Sequence, residues 1–248
     1  MTDQRKPRVI PFYRSGPMPC PYLPGRIEQQ LFTELNMPDA QFHYEALSQA
    51  GFRRSHHVAY RPACNGCNAC VPVRIVVDGF KRSRSWRRIL NANATVTARD
   101  VGSTPTSEQY QLFNRYLSTR HGDGEMARMK ERDYLDMIVS SPVDSTILEF
   151  RDSDDTLIGA CLTDCLHDGY SAVYSFFDPD DAARSLGSFI ILSLIEQAAR
   201  MGLPYVYLGF WIDGSPKMAY KQRFQPLEGF GPTGWRPLSA TPDAIPDQ

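Results

Sequence analysis

The clearest pattern of apolar and polar positions lies in the C-terminal part of the chain, beyond residue 103. Apolar side chains recur there at helical spacing in two stretches, and runs rich in β-branched and aromatic residues follow them. The pattern predicts, in order, two helices, three strands, a long apolar helix and a further strand, over residues 104–122, 129–141, 145–152, 156–166, 169–178, 180–202 and 204–211. We therefore expect a mixed sheet with helices on both faces.

The N-terminal part of the chain shows weaker patterns. Residues 1–26 are rich in Pro and Arg and are expected to be extended. Beyond them, the spacing of apolar and capping residues predicts helices over 28–35 and 38–51. Alternating, β-branched stretches predict strands over 69–78 and 94–101, on either side of a basic run.

These elements define the fold class and the domain organisation that we predict. The class is mixed, α+β or α/β, and the order of elements also fits an acyltransferase domain of the GNAT type. A small, basic, cysteine-containing N-terminal domain is expected over 1–100, with an approximate boundary or an interleaved arrangement. The GNAT-like domain is expected over 101–236, and a disordered tail over 237–248.

Composition narrows the class of protein. The chain has 248 residues, of which 42% are hydrophobic and 22% charged, as in ordinary globular domains. The first residues, MTDQRKPRVI, contain no apolar stretch of the kind that a secretory signal needs. The sequence also lacks a run of about 20 apolar residues for a membrane span. We therefore expect a cytoplasmic protein without a membrane partner, in which thiols stay reduced.

Charge is distributed unevenly along the chain. Residues 1–99 contain 15 Lys and Arg against 6 Asp and Glu, whereas residues 100–248 contain 12 against 22. The formal net charge of −1 therefore hides a basic half and an acidic half. A basic half predicts contact with a polyanion such as nucleic acid, although halves of a chain can also differ in charge by chance.

Three of the six cysteines are spaced three residues apart, at Cys64, Cys67 and Cys70, and Cys20 can complete a set of four. Four thiolates suit a structural zinc ion or an iron–sulfur cluster. The spacing does not choose between the two metals, and buried thiols without metal are a third interpretation. Cys161 and Cys165 lie in a predicted strand and are expected to belong to the core.

A basic run follows the cysteines. It places five cations and one tryptophan within residues 81–88. Arginine binds phosphate with two parallel hydrogen bonds, and an indole ring can stack on a base. The residues expected to contact RNA or an acidic substrate are Arg61, Arg74, Arg82, Arg84, Trp86, Arg87 and Arg88. A solvated helix face is the alternative interpretation.

Two groups of motifs resemble those of the aminoacyl-tRNA–protein transferase family. In the N-terminal part they are CPYLPGR, from residue 20, and YRPACNGCNACVPVRIVVDGFKRSRSWRRILNAN, from residue 60. Further along they are YSFFDP, from residue 174, and YVYLGFWIDGSPKMAYKQRFQPLE, from residue 205. The resemblance covers residues 10–232 and is closest to the compact bacterial leucyl branch of the family.

The resemblance implies a reaction. In this family an aminoacyl group, here leucyl, moves from a charged tRNA to the α-amine of a protein that begins with Asp or Glu. The product begins with leucine and is marked for degradation by the N-end rule. The family also implies a GNAT-like C-terminal half, and its eukaryotic relatives bind an iron–sulfur cluster through N-terminal cysteines.

The chemistry of that reaction limits what the site needs. The tRNA ester is already activated, so neither ATP nor CoA nor a catalytic metal is required. The site has only to position the reacting groups and to stabilise the charge that develops on the ester oxygen. Tyr207, Tyr220 and Lys221 are candidates for orienting the ester or the amine. Arg74, Arg82, Arg84, Arg87, Lys221 and Arg223 are the cations that the sequence offers to an acidic N-terminus.

Three other functions remain open at this point. A CoA-dependent N-acetyltransferase would bind pyrophosphate on a Q/R-x-x-G-x-G/A loop, but residues 184–189 read RSLGSF, and Phe189 is expected to crowd the phosphates. A non-enzymatic RNA-binding module with zinc would bind RNA in a salt-dependent way without any transfer. Arginyl instead of leucyl transfer is also open, because no residue identifies the amino acid.

Overall fold

The computed structural model describes residues 9–120 and 128–238 of the chain. Its strands are β1 (Tyr13–Arg14), β2 (Met18–Pro19), β3 (Ile27–Glu28), β4 (Gln30–Glu34), β5 (Arg53–Ser55), β6 (Val58–Pro62), β7 (Cys70–Val76), β8 (Thr97–Asp100), β9 (Ser145–Arg151), β10 (Leu157–Leu166), β11 (Gly169–Phe177), β12 (Tyr205–Ile212), β13 (Leu227–Gly231) and β14 (Gly234–Pro237). Its α-helices are α1 (Ala40–Gln49), α2 (Arg84–Ala92), α3 (Ser107–Arg120), α4 (Glu131–Val139), α5 (Leu186–Arg200) and α6 (Pro216–Ala219). Short 3₁₀ turns cover Ala182–Arg184 and Tyr220–Arg223.

The strands form one large sheet and two small ones. The large sheet has the order β14-β13-β7-β12-β11-β10-β9-β8. A four-stranded sheet has the order β1-β4-β6-β5, and β2 pairs with β3. In the large sheet β11 and β12 are parallel, whereas the other paired strands are antiparallel. The predicted mixed class is therefore confirmed.

Helices cover both faces of the large sheet, as predicted. Successive residues of β10 contribute to two different apolar clusters: Cys161 packs on the side of α5, and Ala160 and Leu162 pack on the side of α3 and α4. Alternation of side chains along a strand places these neighbours on opposite faces. The apolar helix α5 thus lies on one face, and the pair α3 and α4 on the other.

The helices and strands predicted beyond residue 103 are all confirmed, but the prediction of one element in the N-terminal part is wrong. Residues 28–35 were expected to form a helix, and the structure has β4 there. Leu31 pairs with Arg61, and Phe32 with Tyr60, across the antiparallel contact of β4 with β6. Tertiary pairing therefore overrides a local helical pattern. Most of the expected tail, residues 239–248, lies outside the described residues.

The division near residue 100 remains a prediction. Of the elements before it, β7 lies between β13 and β12 in the large sheet, and β8 forms the edge of that sheet. The four-stranded sheet and α1 form a third apolar cluster, which includes Tyr44 and Phe52 and packs against Leu166 and Tyr207. The N-terminal residues thus contribute strands to the sheet that carries the site described below.

A buried ion pair joins the four-stranded sheet to the large one. Both side chains, Arg54 on β5 and Asp164 on β10, are fully buried, and they form two hydrogen bonds of 2.5 and 2.9 Å. The hydroxyl of Ser145 on β9 donates to the same carboxylate, at 2.8 Å. Within the ranges described, none of the helices combines the length and the apolar character needed to cross a bilayer.

Candidate active site

The parallel strands β11 and β12 separate soon after they begin. They pair over only three positions, the last being Ser171 opposite Tyr207. Beyond that point β11 stays paired with β10 as far as Phe177, and β12 stays paired with β7 as far as Ile212. The two strands therefore diverge and leave an opening in the sheet, which we call the cleft.

Arg53 of β5 reaches into the point where the cleft begins. Its Nη2 donates to the backbone oxygens of Ala172 and Val173, at 2.7 and 3.3 Å, directly after the last pair of β11 with β12. On the other strand, Gly209 has a φ of +79°, and a Cβ placed there would lie 2.8 Å from Nη1 and Cζ of Arg53. A glycine is required at 209 both by this backbone conformation and by the guanidinium beside it.

Lys221 lies next to Arg53 in the same region. It is 6% exposed, and its Nζ donates to the backbone oxygen of Phe210, 2.6 Å away. Burial, followed by the positive charge of Arg53, lowers the pKa of Lys221 to about 7. A large fraction of the molecules at neutral pH therefore carries an uncharged amine there, with a lone pair that can accept a proton.

The two tyrosines proposed with Lys221 occupy different places. Tyr220 precedes Lys221, is partly exposed, and has its ring centroid 5.9 Å from the lysine Nζ. Tyr207 is buried, and its hydroxyl donates to Asp168 at 2.9 Å and accepts from Arg74 at 3.3 Å. Burial, followed by Asp168, raises the pKa of Tyr207. Tyr220 is thus beside Lys221, whereas Tyr207 is engaged in a separate polar cluster.

Arg74 is engaged by neighbouring side chains in that cluster. Its Nε donates to Glu228 at 2.8 Å, and its guanidinium carbon lies 3.5 Å from the ring centroid of Tyr205 and 4.3 Å from that of Trp235. These contacts hold the guanidinium within the cluster, and the expected contact of Arg74 with RNA or an acidic N-terminus stays a prediction. Arg61 is half-buried, with its guanidinium carbon 5.1 Å from the ring centroid of Phe52.

The basic run forms helix α2, which begins at a capping serine: the Oγ of Ser83 accepts from the backbone N–H of Trp86 at 3.3 Å. Arg84, Arg87 and Arg88 are exposed and share one face, since residues three and four apart are neighbours on a helix. Arg82, just before the helix, forms an ion pair with Glu196 of α5, at 2.9 Å.

Trp86 joins α2 to the turn that carries Lys221. Its ring is 3% exposed and stacks on Phe224, with centroids 4.5 Å apart and planes tilted by 19°. The guanidinium carbon of Arg223 lies 4.8 Å from the same ring. No ring face is left open for a base, so the expected stacking role of Trp86 is replaced by a packing role. The exposed arginines are thereby fixed close to the cleft.

The four cysteines of the N-terminal part, Cys20, Cys64, Cys67 and Cys70, form what we call the cysteine cluster. Burial, followed by the charges of the other three, raises the pKa of Cys70 to about 12. The backbone N–H groups of Leu23 and Gln29 point at the sulfurs of Cys20 and Cys64, each at 3.4 Å. All six cysteines are free thiols.

The cysteine cluster meets only part of the requirements of a metal site. Four thiols in one neighbourhood, two of them with backbone N–H donors, suit zinc or iron–sulfur in kind and number. Within residues 9–120 and 128–238, however, no three His, Cys, Asp or Glu side chains are already arranged to hold an ion. Cys161 is buried in the core, as expected, and Cys165 is partly buried.

The loop compared with a CoA site differs from the expectation. Phe189 is buried against Phe150, with ring centroids 5.8 Å apart, so its side chain does not crowd the loop. A Cβ at Gly187 would instead lie 2.9 Å from the ring of Phe177. The backbone N–H of Phe189 donates to Ser185 at 3.0 Å. The ring of Phe177, and not that of Phe189, therefore limits the space beside Gly187 in which a pyrophosphate would have to approach the backbone.

Arg53 is the site residue that the sequence interpretation missed. It was counted only as part of the basic half. Consecutive side chains of a strand point to opposite sides, so a strand prediction at residues 53–55, which was not made, would have separated the directions of Arg53 and Arg54. That alternation was the available signal, but it could not show which arginine meets a carboxylate.

Two diverging parallel strands, a buried amine bonded to one of them and a basic helix packed on the turn that carries this amine suit the transfer of an acyl group from a nucleic-acid donor. The family model described as arginine-tRNA-protein transferase, C terminus, matches residues 108–231, and the model of the N terminus matches residues 18–88. The chain belongs to this family.

Individual relatives agree with the family models. An aspartate/glutamate leucyltransferase of Paramagnetospirillum magneticum is 56% identical over 225 residues, which cover 91% of this chain and 92% of the relative. Another, of Granulibacter bethesdensis, is 54% identical over 239 residues, 96% of this chain and 90% of the relative. A solved GCN5-related glucosamine N-acetyltransferase region of a fungal β-N-acetylglucosaminidase has a TM-score of 0.41 at 10% identity, covering 82% of this chain and 22% of that one.

Proposed function

We propose that this protein transfers leucine from leucyl-tRNA to the α-amine of proteins that begin with Asp or Glu. The observation that carries the proposal is the buried Lys221 beside Arg53, with its pKa lowered to about 7, in a chain whose relatives are named aspartate/glutamate leucyltransferases. The product begins with leucine, and we expect it to be degraded as an N-end rule substrate. Because charged tRNA is the donor, we expect the reaction to take place in the cytoplasm.

In this mechanism Lys221 acts as the base. The substrate's α-ammonium gives a proton to Nζ, whose other contact is the backbone oxygen of Phe210. The free amine then attacks the carbonyl carbon of the leucyl ester, so that an amide bond forms and the bond to the 3′ oxygen of the tRNA breaks. Lys221 passes this first proton to solvent, accepts the second proton that the attacking nitrogen loses as the amide forms, and delivers it to the 3′ oxygen, which leaves as a hydroxyl. A base with a pKa close to the working pH is best suited to both steps.

The tRNA is bound by the exposed face of α2. Three arginines on one face give charge-assisted contacts to successive phosphates, which position a nucleic acid without reading its sequence. The first turn of α2 contains no acidic residue, although a helix N-terminus disfavours cations. This arrangement costs the helix some stability and suits an anionic partner. Trp86 of α2 stacks on Phe224, which follows Lys221 by three residues, so the helix packs on the turn that carries the lysine.

The cysteine cluster is proposed to hold zinc or an iron–sulfur cluster through Cys20, Cys64, Cys67 and Cys70. A metal there would fix the loops before β7, which begins at Cys70 opposite Ile212 of β12. Thiols must lose protons to bind metal, and the raised pKa of Cys70 makes this binding dependent on pH. Metal analysis of anaerobically purified protein distinguishes zinc, iron–sulfur and free thiols.

A transfer assay tests the proposed function. Labelled leucyl-tRNA and arginyl-tRNA are each incubated with the protein and with peptides that begin with Asp, Glu or Ala. We expect leucine on the Asp and Glu peptides, little on the Ala peptide, and little arginine on any. Transfer of arginine would identify arginyl-tRNA, and not leucyl-tRNA, as the donor. Acetylation of a peptide from acetyl-CoA, without response to charged tRNA, would overturn the proposal.

A further inference from the structure

Arg53 has more hydrogen-bonding capacity than the fold uses. Its Nη2 satisfies the backbone oxygens of Ala172 and Val173, which lose a strand partner where β11 and β12 diverge. Its Nη1 is buried and has no partner. In the described part of the chain, this is the one nitrogen of a charged side chain in that situation.

Other enclosed arginines are matched with carboxylates. Arg54, the next residue, has Asp164, and Arg74 has Glu228. Arg151 has both Glu149 and Glu108. A buried guanidinium nitrogen without an acceptor costs free energy, so its retention requires another benefit. An incoming carboxylate would provide the missing acceptor.

The position of Arg53 relative to Lys221 fits one kind of ligand. Arg53 lies against Gly209, and Lys221 is bonded to the oxygen of Phe210, the next residue of β12. Consecutive Cα atoms are about 3.8 Å apart. An N-terminal Asp or Glu carries its α-amine and its side-chain carboxylate only a few bonds apart. A single residue can therefore place its amine at Lys221 and its carboxylate at Arg53.

We propose that Nη1 of Arg53 binds the side-chain carboxylate of the acceptor's first residue and so selects Asp and Glu. This inference rests on the proposed function and assigns the acidic specificity to one residue. Exposed arginines such as those of α2 are poor candidates, because ion pairs in water contribute little. A desolvated pair with hydrogen bonds in fixed positions discriminates strongly against a neutral analogue.

The test compares peptides that begin with Asp and with Asn, which differ in charge but hardly in shape. Wild-type protein is expected to favour Asp strongly in kcat/KM. Arg53→Gln is expected to lower kcat/KM for the Asp peptide about 100-fold more than for the Asn peptide, and so to abolish the preference. Loss of the Arg53 charge also acts on Lys221, but that effect is common to both peptides and leaves their ratio unchanged. Arg53→Lys, which keeps a positive charge, is expected to retain part of it.

The matched control is Arg151→Gln, which removes an enclosed arginine from β9 and should lower Tm without changing the preference. If Arg53→Gln does not fold, the inference is tested by the Asp-to-Asn preference of Arg53→Lys compared with that of wild-type protein. An unchanged preference in a folded Arg53 variant, or a wild-type protein that uses Asp and Asn peptides equally, would overturn the inference. Absence of any leucine transfer by wild-type protein would instead overturn the proposed function.

Discussion

In the proposed mechanism one buried amine, that of Lys221, both serves the reaction and weakens the fold. Burial and Arg53 lower its pKa from 10.5 to about 7. In the unfolded chain the amine returns to water and keeps its proton up to pH 10.5. Between pH 7 and 10.5 the unfolded state therefore holds more protons, so the free energy of unfolding rises with pH. Below pH 7 the amine is protonated in both the folded and the unfolded state, and the buried charge lowers the free energy of unfolding by its full amount.

Lys221→Met is expected to separate these two effects. Loss of the base should lower the rate of transfer by about 100- to 10,000-fold. Loss of the buried charge should make the variant more stable than wild type at pH 7, and the difference should shrink as the pH is raised to 10. Transfer kinetics and urea denaturation across this range measure the two results.

The exposed Lys217, four residues earlier, gives a matched control. Lys217→Met should change neither the rate nor the dependence of stability on pH. In wild-type protein, kcat/KM should rise through pH 7 as Lys221 loses its proton. A Lys221→Met protein with normal transfer would show that the amine is a structural feature only.

At the scale of elements, α2 joins an apolar anchor to a charged face. Trp86 packs inward on Phe224, while Arg84, Arg87 and Arg88 face solvent. The sequence indicated the basic run, and the helix period determines which arginines share a face. The direction in which Trp86 points depends on the turn after Tyr220, which is distant in sequence. For this reason its packing role could not be predicted.

Arg84→Ala with Arg87→Ala is expected to raise the KM for leucyl-tRNA and to leave kcat nearly unchanged. If each arginine neutralises one phosphate, the slope of log KM against log salt should fall by about 2. Steady-state kinetics at several salt concentrations measure both quantities.

Arg132→Ala is the control for α2, because Arg132 is an exposed arginine of another helix, α4. It should leave the KM and its salt dependence at the wild-type values. The same result from the double variant of α2 would identify its basic face as merely solvated, which is the alternative considered from the sequence.

For the whole molecule, the pair Arg54–Asp164 connects the four-stranded sheet to the large sheet. The pair is buried on both sides and has Ser145 as a further donor. Since Arg53 and Arg54 are consecutive in β5, the same contact fixes where Arg53 enters the cleft. The stability of the sheet-to-sheet contact and the geometry of the proposed carboxylate site therefore depend on adjacent residues.

Arg54→Met is expected to lower the free energy of unfolding by about 3–5 kcal/mol, because Asp164 is left buried without a cation. Adding Asp164→Leu should restore much of that loss, since an apolar pair of similar size no longer buries a charge. Urea denaturation measures both variants. A single variant with an unchanged midpoint would mean that water reaches Asp164 and that the pair is not truly enclosed.

The sequence by itself determined the elements from α3 to β12, because each has a strong period and its own capping or turn residues. It also determined the basic run, the spacing of the cysteines and the family. Tertiary structure decided that Gln30–Glu34, within the expected helix over 28–35, forms a strand, because β6 supplies the pairing partner. It also decided that Arg53, and not Arg74, is left without a carboxylate. Local patterns carry no information about partners more than 100 residues away, such as Ala172 for Arg53 and Glu228 for Arg74.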